Sequence, residues 1–365
     1  MRAAVLHTPG EPMTIEEVEI AAPGPGEVLV EVRASGICHS DFLASRTLPP
    51  GLLPIILGHE VAGVVLEVGP GVRRLTPGDH VVACEVSHCG HCVECISGRP
   101  ARCIRTIETE RQQDADSRLS LDGKAVAAFS HIGGFAERIL LHPNNLAIVP
   151  KELPFDRAAV LGCAVATGAG AAINTASVRV GDTVAVFGCG GVGLSALQGA
   201  ALAGARRVIA IDIQLAKLDL ARRFGATDTI DASDTDAVTE VLRLTDGIGV
   251  DYAFEAAGVT STARQAIAAT RPTGTTFLIG MQSPGTILEF DVFQELMLDK
   301  KSIHSVYMGS TNPQRDIPLY AELYLQGRFN LDDLVSRHVS LDDLEEGFAS
   351  FQNGSVARTV VTSFR

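Results

Sequence analysis

Four cysteines lie close together in the run CGHCVECISGRPARC. They are spaced by 3, 3 and 8 residues and are Cys89, Cys92, Cys95 and Cys103. Four thiolates at about 2.3 Å complete a tetrahedral zinc shell and leave no position for water or substrate, which is typical of a structural site. Buried or disulfide-bonded cysteines are the alternative, and a long chain in a reducing compartment disfavours it. A zinc ribbon that binds nucleic acid is a further alternative, which the acidic charge balance disfavours.

A second set of metal-ligating residues is dispersed along the chain. It comprises Cys38 in GICHSD, His59 in GHE and Cys163 in LGCAVATG. Taken singly, each is weak, because a lone cysteine is most often a small core residue and a lone histidine a satisfied polar group. As a Cys2His set they would leave the fourth position of a zinc ion open, as catalysis requires. Zinc held there could polarise an alcohol or carbonyl oxygen.

A glycine-rich turn follows a buried strand pattern that begins at Thr183. TVAVF, GCGGVG and LSALQGAALAGA indicate a strand, a turn and a helix, and RVIAID indicates the next strand. The turn supplies the G-x-G-x-x-G glycines, which are Gly188, Gly190 and Gly193. These glycines let the backbone approach a pyrophosphate, and Asp212, nineteen residues beyond the last of them, would bind the ribose hydroxyls. A 2′-phosphate would meet the like charge of Asp212, so the pattern favours NAD over NADP.

Strand and helix patterns alternate after this turn. Further strands are predicted at 228–230, 250–255, 275–280 and 302–306, and helices at 215–224, 237–244 and 261–270. We therefore expect a doubly wound parallel sheet of six strands. Before about residue 165, short strands between PGPGE, PGV and TPGD turns predict a mainly β domain. After about 308 we expect a helix at 316–326, two helix starts at the LDDL repeats of 331 and 341, and a closing strand, TVVTSF. The charged segment 105–118 is interpreted as a solvated loop.

Composition limits the possible functions. The chain has 365 residues, 46% of them hydrophobic, and a formal net charge of −13, which indicates a soluble protein of two domains. The acidic balance disfavours binding to nucleic acid or to anionic membranes. Two uncharged stretches, 158–178 and 183–205, are long enough to cross a bilayer, but both are rich in Gly and Ala and the second breaks into a strand, a turn and a helix. We expect no membrane span. Because MRAAVLHTPGEPM lacks the apolar core of a secretory signal, a cytoplasmic location is predicted.

Together these residues resemble the zinc-dependent alcohol dehydrogenases of the medium-chain dehydrogenase/reductase superfamily. The similarity spans essentially the whole chain, in family order and spacing, and rests on GICHSD, LGHEVAGVV, PGDHVV, the four-cysteine run, CAVATGAGAA, VFGCGGVGLSALQGA, IAIDI and ARTVVTSF. It implies an α/β protein with a GroES-like, mainly β catalytic domain (1–164 and 308–365) that carries the structural zinc lobe, and a Rossmann NAD-binding domain (165–307). The substrate would lie in the cleft between them.

The resemblance also implies an activity and its partners. Hydride would pass between a small-molecule alcohol and NAD, interconverting the alcohol with its aldehyde or ketone, and primary, aromatic or medium-chain alcohols are favoured. Two zinc ions per chain and a homodimer or homotetramer are expected. An aldehyde reductase of the same family, or a dismutase that retains its NAD, is the enzymatic alternative. A nonenzymatic NAD-binding redox sensor is disfavoured by the three intact ligand candidates.

Roles for single residues follow from the same resemblance. Cys38, His59 and Cys163 are the expected ligands of the catalytic zinc. Asp41 would orient His59, Glu60 would assist ligand exchange, and Ser40 would take the proton of the alcohol. The expected cofactor contacts are His39 and Arg358 at the pyrophosphate, Gly188, Gly190, Gly191, Val192 and Gly193 at the glycine turn, Asp212 and Lys217 at the ribose, and Thr167, Val192, Ile279, Gly280 and Met281 at the nicotinamide half. Without the resemblance, Lys217 and Arg358 would be read as ordinary surface charges.

The chain departs from the family pattern at several positions. Leu43 stands where many relatives have a histidine that passes the proton to solvent, so water or another group completes the relay or proton release is slow. Glu85 stands where an apolar pocket residue is common, which favours a polar or amine-bearing substrate unless Glu85 turns away or pairs with an arginine. Pro49 and Ile107 stand where the glutathione-dependent formaldehyde branch has an acidic and a basic residue, and they disfavour that branch.

Overall fold

The strands of the protein were located in a computed structural model that describes residues 1–111, 117–352 and 357–365. Within these residues the strands are, in chain order, β1 (Arg2–Leu6), β2 (Thr14–Glu17), β3 (Glu19–Ile20), β4 (Val28–Ile37), β5 (Ile55–Ile56), β6 (Glu60–Val68), β7 (His80–Ala83), β8 (Leu119–Leu121), β9 (Lys124–Ala125), β10 (Ala127–Ala128), β11 (Arg138–Leu141), β12 (Leu146–Ile148), β13 (Thr183–Phe187), β14 (Arg207–Asp212), β15 (Asp228–Asp231), β16 (Val250–Glu255), β17 (Thr270–Leu278), β18 (Ser302–Ser305), β19 (Arg337–Ser340) and β20 (Thr359–Ser363).

Helices of three kinds connect the strands. The α-helices of the described residues are α1 (His39–Thr47), α2 (Val93–Ile96), α3 (Phe155–Ala159), α4 (Ala164–Gly170), α5 (Gly191–Leu202), α6 (Leu215–Arg223), α7 (Ala237–Leu244), α8 (Thr260–Ala269), α9 (Pro313–Leu325) and α10 (Leu344–Gln352). Single 3₁₀ turns lie at Pro50–Leu52, Pro100–Arg102, Thr106–Thr109, Phe129–His131, Pro143–Asn145, Val160–Gly162 and Met308–Ser310, and π-helical turns at Ala171–Thr175 and Val292–Leu298.

The chain folds into two units, each with its own sheet structure. The first unit comprises Met1–Ala164 and Thr311–Arg365, and the second comprises Val165–Ser310. The chain leaves the first unit at the start of α4 and returns to it just before α9. At the end of the chain, β20 pairs antiparallel with β4, with Thr359 opposite Ile37.

Three antiparallel-rich sheets build the first unit. The largest has the order β12-β7-β6-β4-β20-β19, with β11 also paired to β4, and the others are β10-β5-β1-β2 and β3-β8-β9. The core of the first unit is formed by apolar side chains at every second position of these strands, among them Val28, Val30 and Val32 of β4. The predicted mainly β domain is confirmed.

The second unit is a parallel sheet covered by helices. Its strand order is β15-β14-β13-β16-β17-β18, and every neighbouring pair is parallel. All five residues of β13 are buried, as a parallel strand covered on both faces requires. The predicted six-stranded Rossmann-type sheet is therefore confirmed, with β14 and β13 carrying Asp212 and the glycine turn at their carboxyl ends.

Two local predictions need correction. The LDDL at 331 does not start a helix: Asn330 accepts the N–H of Asp333 in a single turn, and β19 begins three residues after this motif, at Arg337. The segment 105–118 is not wholly a solvated loop. Within it, residues 112–116 lie outside the described part of the chain, but Arg111 and Arg118 point inward and donate to buried Glu27. Burial alone would raise the pKa of Glu27, but the two arginines outweigh it and lower the pKa to about 2.

Among the described residues, no single helix has both the length and the apolar character needed to cross a membrane; only the bent pair Phe155–Gly162 and Ala164–Thr175 meets that test, and only when taken together.

Candidate active site and metal centres

The three dispersed ligand candidates meet in the first unit. Cys38 is the residue between β4 and α1, His59 immediately precedes β6, and Cys163 lies between a 3₁₀ turn and α4. The Sγ atoms of the two cysteines, a ring nitrogen of His59 and a carboxylate oxygen of Glu60 all lie within 4.8 Å of one another. Gly162 lets the last of these segments approach, because a Cβ there would collide with the carbonyl oxygen of Ala83.

Asp41 holds Cys38 and His59 of this cluster in place through hydrogen bonds. Its carboxylate is wholly buried, and it accepts the backbone N–H groups of Cys38 and Gly58, each at 3.0 Å, and Nδ1 of His59 at 2.9 Å. Burial alone would lower the pKa of His59, but Asp41 outweighs it and holds that pKa well above its ordinary value. Because Nδ1 is bound to Asp41, Nε2 is the nitrogen left for a metal ion, and Ser40 Oγ lies 3.3 Å from it.

Glu60 and Arg358 form a buried ion pair beside the cluster. Glu60 Oε1 lies 3.2 Å from Arg358 Nη2, and the side chains are 0% and 4% exposed. Gly36 makes room for the acid, because it lies opposite Glu60 in the β4–β6 register and a Cβ there would collide with Glu60 Oε2. Burial raises the pKa of Glu60 to about 7, although the positive charge of Arg358 opposes the shift. Arg358 also donates to the carbonyl oxygen of Ile37 at 3.2 Å.

The donor chemistry of the cluster fits zinc. A hydrogen bond from Cys163 holds the pKa of Cys38 well below its ordinary value against the effect of burial, and the charge of Arg358 assists. Cys38 therefore has the thiolate character of a metal ligand. The same hydrogen bond, together with burial and the charges of Glu60 and Glu85, raises the pKa of Cys163. Two sulfurs and one imidazole, buried and oriented by a carboxylate, form the donor set of an open zinc site.

The four-cysteine run also converges on one point. The Sγ atoms of Cys92 and Cys95 lie 3.4 Å apart, and those of Cys89 and Cys95 lie 4.0 Å apart, with all four cysteines free. Backbone N–H groups of Cys95 and Ile104 lower the pKa of Cys92 to about 6. Further N–H groups point at sulfur, such as that of Cys92 at the Sγ of Cys89, 3.3 Å away. These donors favour a thiolate at Cys92, whereas burial and the neighbouring Cys92 raise the pKa of Cys95 to about 12. Because the four Sγ atoms lie within 4.8 Å of one another, the cluster fits a four-sulfur zinc shell.

In the second unit, the glycine turn has the shape of a phosphate cradle. Gly188 has a φ of +96°, which favours glycine, and a Cβ on Gly193 would collide with the carbonyl oxygen of Gly188. Apart from Gly190 and the two residues next to it in the chain, no described atom lies within 4 Å of the Cβ position of Gly190, so space remains for an approaching group. Gly191 begins α5, whose N-terminus favours an anion. The turn fits a dinucleotide pyrophosphate.

Asp212 closes one side of the turn. Its Oδ2 accepts the N–H of Cys189 at 2.7 Å, and its Oδ1 accepts the N–H of Gln214 at 3.1 Å. The first bond joins the carboxylate to the glycine turn, and the second fixes it to the start of α6. The half-buried Lys217 lies near enough for its charge to act on Cys189, against the larger effect of burial, which raises the pKa of that thiol.

The remaining cofactor candidates lie outside the glycine turn itself. Thr167 is buried, with Oγ1 3.3 Å from Met308 Sδ, and the next residue in α4 packs against the carbonyl oxygen of Val192 in α5. Ile279 and Gly280 are half-buried and Met281 is 55% exposed, directly after β17. In the first unit His39 is exposed at the start of α1. Arg358 lies against Glu60.

The departures from the family pattern have definite places. Leu43 is half-buried in α1, and Ile107 is 65% exposed. Glu85 follows β7 and is the only half-buried side chain among the eight described residues Val81–His88, whose other members are buried. Its Oε2 accepts the hydroxyl of Ser130 at 2.8 Å. Ser130 has a φ of +52°, in a turn whose Phe129 ring packs edge-on against His59, with 5.7 Å between the ring centroids.

Comparisons with known proteins agree with this geometry. Residues 24–151 match the family model "Alcohol dehydrogenase GroES-like domain", and residues 191–326 match "Zinc-binding dehydrogenase". An S-(hydroxymethyl)glutathione dehydrogenase of Escherichia coli O139:H28 is 38% identical over 366 residues, covering 99% of both chains.

Solved structures agree over the whole chain. An alcohol dehydrogenase zinc-binding domain protein from Burkholderia ambifaria has a TM-score of 0.93 at 38% identity, and the alignment covers 100% of this chain and 99% of that one. Benzyl alcohol dehydrogenase from Acinetobacter calcoaceticus has a TM-score of 0.92 at 34% identity, with the same coverage. The chain belongs to the zinc-dependent alcohol dehydrogenases of the medium-chain family. The predicted fold class and the predicted enzyme class, an NAD-dependent zinc alcohol dehydrogenase, are thereby confirmed.

Sequence reasoning missed two features of this alcohol dehydrogenase. The bond between Glu85 and Ser130 joins positions 45 residues apart, and no motif marks Ser130. Glu255, at the carboxyl end of β16, is wholly buried and hydrogen-bonded to the loop that follows it. An acid directly after the apolar run YAF, at the end of the strand VDYAFE, was the available signal, because an acid there must find donors.

Proposed function

We propose that this alcohol dehydrogenase uses the Cys38, His59 and Cys163 cluster to oxidise a primary alcohol to its aldehyde while NAD⁺ is reduced to NADH and a proton is released. The convergence of these three side chains on one point carries the proposal. A zinc ion bound there would polarise the substrate oxygen and make its hydroxyl more acidic. The first unit is the proposed catalytic domain, and the second unit is the proposed NAD-binding domain.

The chain's own residues supply the proton path and the orientation. Asp41 fixes the His59 ring by holding its Nδ1–H. Ser40 Oγ, 3.3 Å from His59 Nε2, is placed to accept the hydroxyl proton of an alcohol bound at the cluster. Leu43 cannot pass that proton on, so solvent or another group must receive it.

The second unit would bind NAD across the carboxyl edge of its sheet. The glycine turn, with Val192, would hold the pyrophosphate, Asp212 and Lys217 the adenosine ribose, and Thr167, Ile279, Gly280 and Met281 the nicotinamide half. Bound NAD would supply the hydride acceptor. His39 and Arg358 stay proposed pyrophosphate contacts.

Metal counting tests the assignment of two zinc ions per chain. We expect two zincs in the purified protein, one in Cys38→Ser with loss of NAD-linked activity, and one in Cys95→Ser with lower thermal stability. Cys84→Ala is the matched control, because Cys84 is wholly buried but belongs to neither cluster, and it should keep both ions. A wild-type count of one or none would contradict the assignment.

For the substrate we favour aromatic or medium-chain primary alcohols. Ile107 and Pro49 provide no charge for the carboxylates of a glutathione adduct, and the Phe129 ring against His59 offers an aromatic surface beside the cluster. The Escherichia coli relative's name makes S-(hydroxymethyl)glutathione the second candidate. Comparing kcat/KM for benzyl alcohol, hexanol and S-(hydroxymethyl)glutathione decides between them; a higher value for the last would reverse the choice.

Glu85 adds a polar feature to the proposed substrate site. Held by Ser130, its carboxylate would favour alcohols that carry a hydroxyl or amine at some distance from the reacting carbon. Glu85→Gln should then lower kcat/KM for an aminomethyl-substituted benzyl alcohol and leave that for benzyl alcohol unchanged. An unchanged ranking of the two substrates would remove Glu85 from the recognition site.

A homodimer, or a dimer of dimers, is proposed from the exposed edge of the second unit. β18 is an edge strand of the described sheet, and the chain before it exposes large apolar side chains, including Ile287 (76%), Phe293 (63%) and Met297 (63%). Light scattering should give a mass of two or four chains, and Phe293→Glu should lower it.

The eight free cysteines support a reducing, cytoplasmic location.

A further inference from the structure

A wholly buried acid lies outside the two metal clusters and the glycine turn. Glu255, the last residue of β16, is 0% exposed. Its Oε1 accepts three hydrogen bonds from the segment that follows the strand, from the N–H of Ala257 at 2.9 Å, the N–H of Gly258 at 2.8 Å and the hydroxyl of Thr262 at 2.8 Å. A buried carboxylate is costly without such donors. Glu255 therefore fixes the loop between β16 and α8.

The same residue also fixes the neighbouring loop. The backbone oxygen of Glu255 accepts the N–H groups of Ile279 at 2.8 Å and Gly280 at 2.9 Å, directly after β17. One residue thus collects five donors from the segments that follow two adjacent parallel strands, one of them from the first turn of α8. These two loops stand at the carboxyl edge of the sheet, where a parallel α/β domain binds its ligand.

Close backbone packing makes the two loops one layer. Gly258 has a φ of +74°, and a Cβ there would come within 2.6 Å of the carbonyl oxygen of Met281. A Cβ on Gly280 would collide with the N–H of Gly258 and lie 2.9 Å from Glu255 Oε2. The backbones of the two loops are in close contact at Gly258 and Gly280, so a shift of the loop after β16 must move the loop after β17.

The glycine turn, by contrast, has its own anchors. Gly188 donates its N–H to the carbonyl oxygen of Ile211 at 2.8 Å, and Cys189 donates to Asp212 at 2.7 Å. Loss of Glu255 would leave these bonds in place. Gly188 also packs on Ala257, since a Cβ there would come within 2.8 Å of the Ala257 nitrogen. The effect should therefore be larger at residues 279–281 than at the pyrophosphate cradle, whose own bonds remain.

We propose that Glu255 is a positioning residue that sets the nicotinamide half of the cofactor site through residues 279–281, an inference that rests on the proposed NAD-binding function. The bonds that matter all reach Oε1 and the backbone oxygen. Within the described chain, Oε2 has no hydrogen-bond partner. The role therefore requires one side-chain oxygen at the position of Oε1 and does not require a negative charge. Glutamine should keep the role, whereas alanine, which has no acceptor, and aspartate, which is too short, should lose it.

Two ligands separate this role from general stability. The zinc-loaded full-length protein is titrated with NADH and with ADP-ribose, which lacks nicotinamide, and binding is followed by calorimetry. For Glu255→Ala we expect the Kd for NADH to rise about tenfold and the Kd for ADP-ribose to change by less than about twofold, because only the first ligand reaches residues 279–281. Glu255→Gln should bind both ligands as the wild type does.

Asp251→Ala is the matched control. Asp251 lies on the same strand at its other end, where it accepts the N–H and hydroxyl of Thr183, each at 2.7 Å, and the Nε of Arg271 at 2.7 Å. Its removal should lower thermal stability and leave the ratio of the two Kd values unchanged. If Glu255→Ala does not fold, Thr262→Val, which removes one of the three donors, should still raise the Kd for NADH selectively.

Each outcome decides the question. A selective loss of NADH binding, restored by glutamine, supports the positioning role. Equal losses for both ligands, or no loss for either, overturn it and leave NAD binding by the wild type intact. A wild type that binds neither ligand overturns the proposed NAD site, and the role of Glu255 with it.

Discussion

Asp41→Asn offers the sharpest test of the catalytic metal site. In the wild type, Oδ2 of Asp41 accepts the N–H of Cys38 and Oδ1 accepts both the N–H of Gly58 and Nδ1 of His59. An asparagine presents one oxygen and one NH₂ group. Whichever way it lies, at least one donor faces the NH₂ group, and the charge that orients the His59 ring is gone.

The size of the effect follows from these bonds. A buried hydrogen bond to a charged group contributes about 1.5–3 kcal/mol, and about 1.4 kcal/mol corresponds to a factor of ten in an equilibrium constant. One lost bond therefore predicts zinc affinity at the Cys38 cluster weaker by about 10- to 100-fold, a range typical of carboxylates behind a metal-bound histidine. Asp41 contacts no member of the four-cysteine cluster in the described structure, so the zinc affinity of that cluster should not change.

Competition with a chromogenic chelator measures both sites in one titration. If the proposed count of two zinc ions is right, the wild type releases them in separate steps, and Asp41→Asn moves one step to lower chelator concentration by about 10- to 100-fold. Asp79→Asn is a suitable control, because Asp79 also accepts a backbone N–H, that of Thr76 at 2.8 Å, but belongs to neither cluster. Two unchanged steps in Asp41→Asn would refute the assignment of Asp41 to the zinc site.

Three further predictions test other parts of the molecule. Leu43→His should change the pH dependence of hydride transfer, measured under single-turnover conditions, because it supplies a proton carrier, and an unchanged profile would count against a missing relay. Gly190→Ala should fold but lose NADH binding, because the added Cβ would fill the open space of the turn. Gly193→Ala should lower the melting temperature, because its Cβ would meet the carbonyl oxygen of Gly188. The opposite pattern would contradict the proposed cradle. Glu27 has its pKa lowered to about 2, against about 4.3 when unfolded, so it adds stability above about pH 4.3 that is lost as the pH falls towards 2. Denaturant unfolding should show Glu27→Gln less stable than the wild type at pH 6 and equal to it near pH 2, and a constant difference would refute this origin.

The features that could be predicted from residues alone are local in sequence. The four-cysteine run closes within one lobe, and the strand, glycine turn, helix and acid of the second unit lie within thirty residues, from Thr183 to Asp212. Short spacing limits how these side chains can be arranged, so chemistry and geometry are both fixed by the motif. The second LDDL leads into a helix and the first does not, although both carry the same capping bond, from the N–H of Asp343 to Ser340 and from the N–H of Asp333 to Asn330. The chain after the first LDDL pairs as β19, so a capping pattern alone did not decide between the two.

Features that join distant segments needed either the resemblance or the structure. Cys38 and Cys163 are 125 positions apart, and nothing in either segment specifies the other. The β4–β6 register brings Gly36 opposite Glu60, and the β4–β20 register brings Ile37 opposite Thr359, so the buried pair of Glu60 and Arg358 depends on strand pairing across the whole first unit. Arg358 alone reads as a surface charge, and only this pairing shows it as 4% exposed.

The burial of Arg358 has a consequence for the active site. A guanidinium with this little exposure is stabilised only while carboxylates or thiolates remain near it, and Glu60 and Cys38 are those partners. Removing Glu60 would therefore leave Cys38 as the main partner of Arg358, and removing Arg358 would leave Glu60 beside the Cys38 sulfur without a compensating cation. The charge of each group in this cluster therefore depends on all the others. The groups are the sulfurs of Cys38 and Cys163, the His59 ring with Asp41, and the ion pair of Glu60 and Arg358. A phosphate contact by Arg358 would have to be made by a side chain already committed to Glu60 and Ile37, so substitution of Arg358 should alter the metal cluster as well as the binding of NAD.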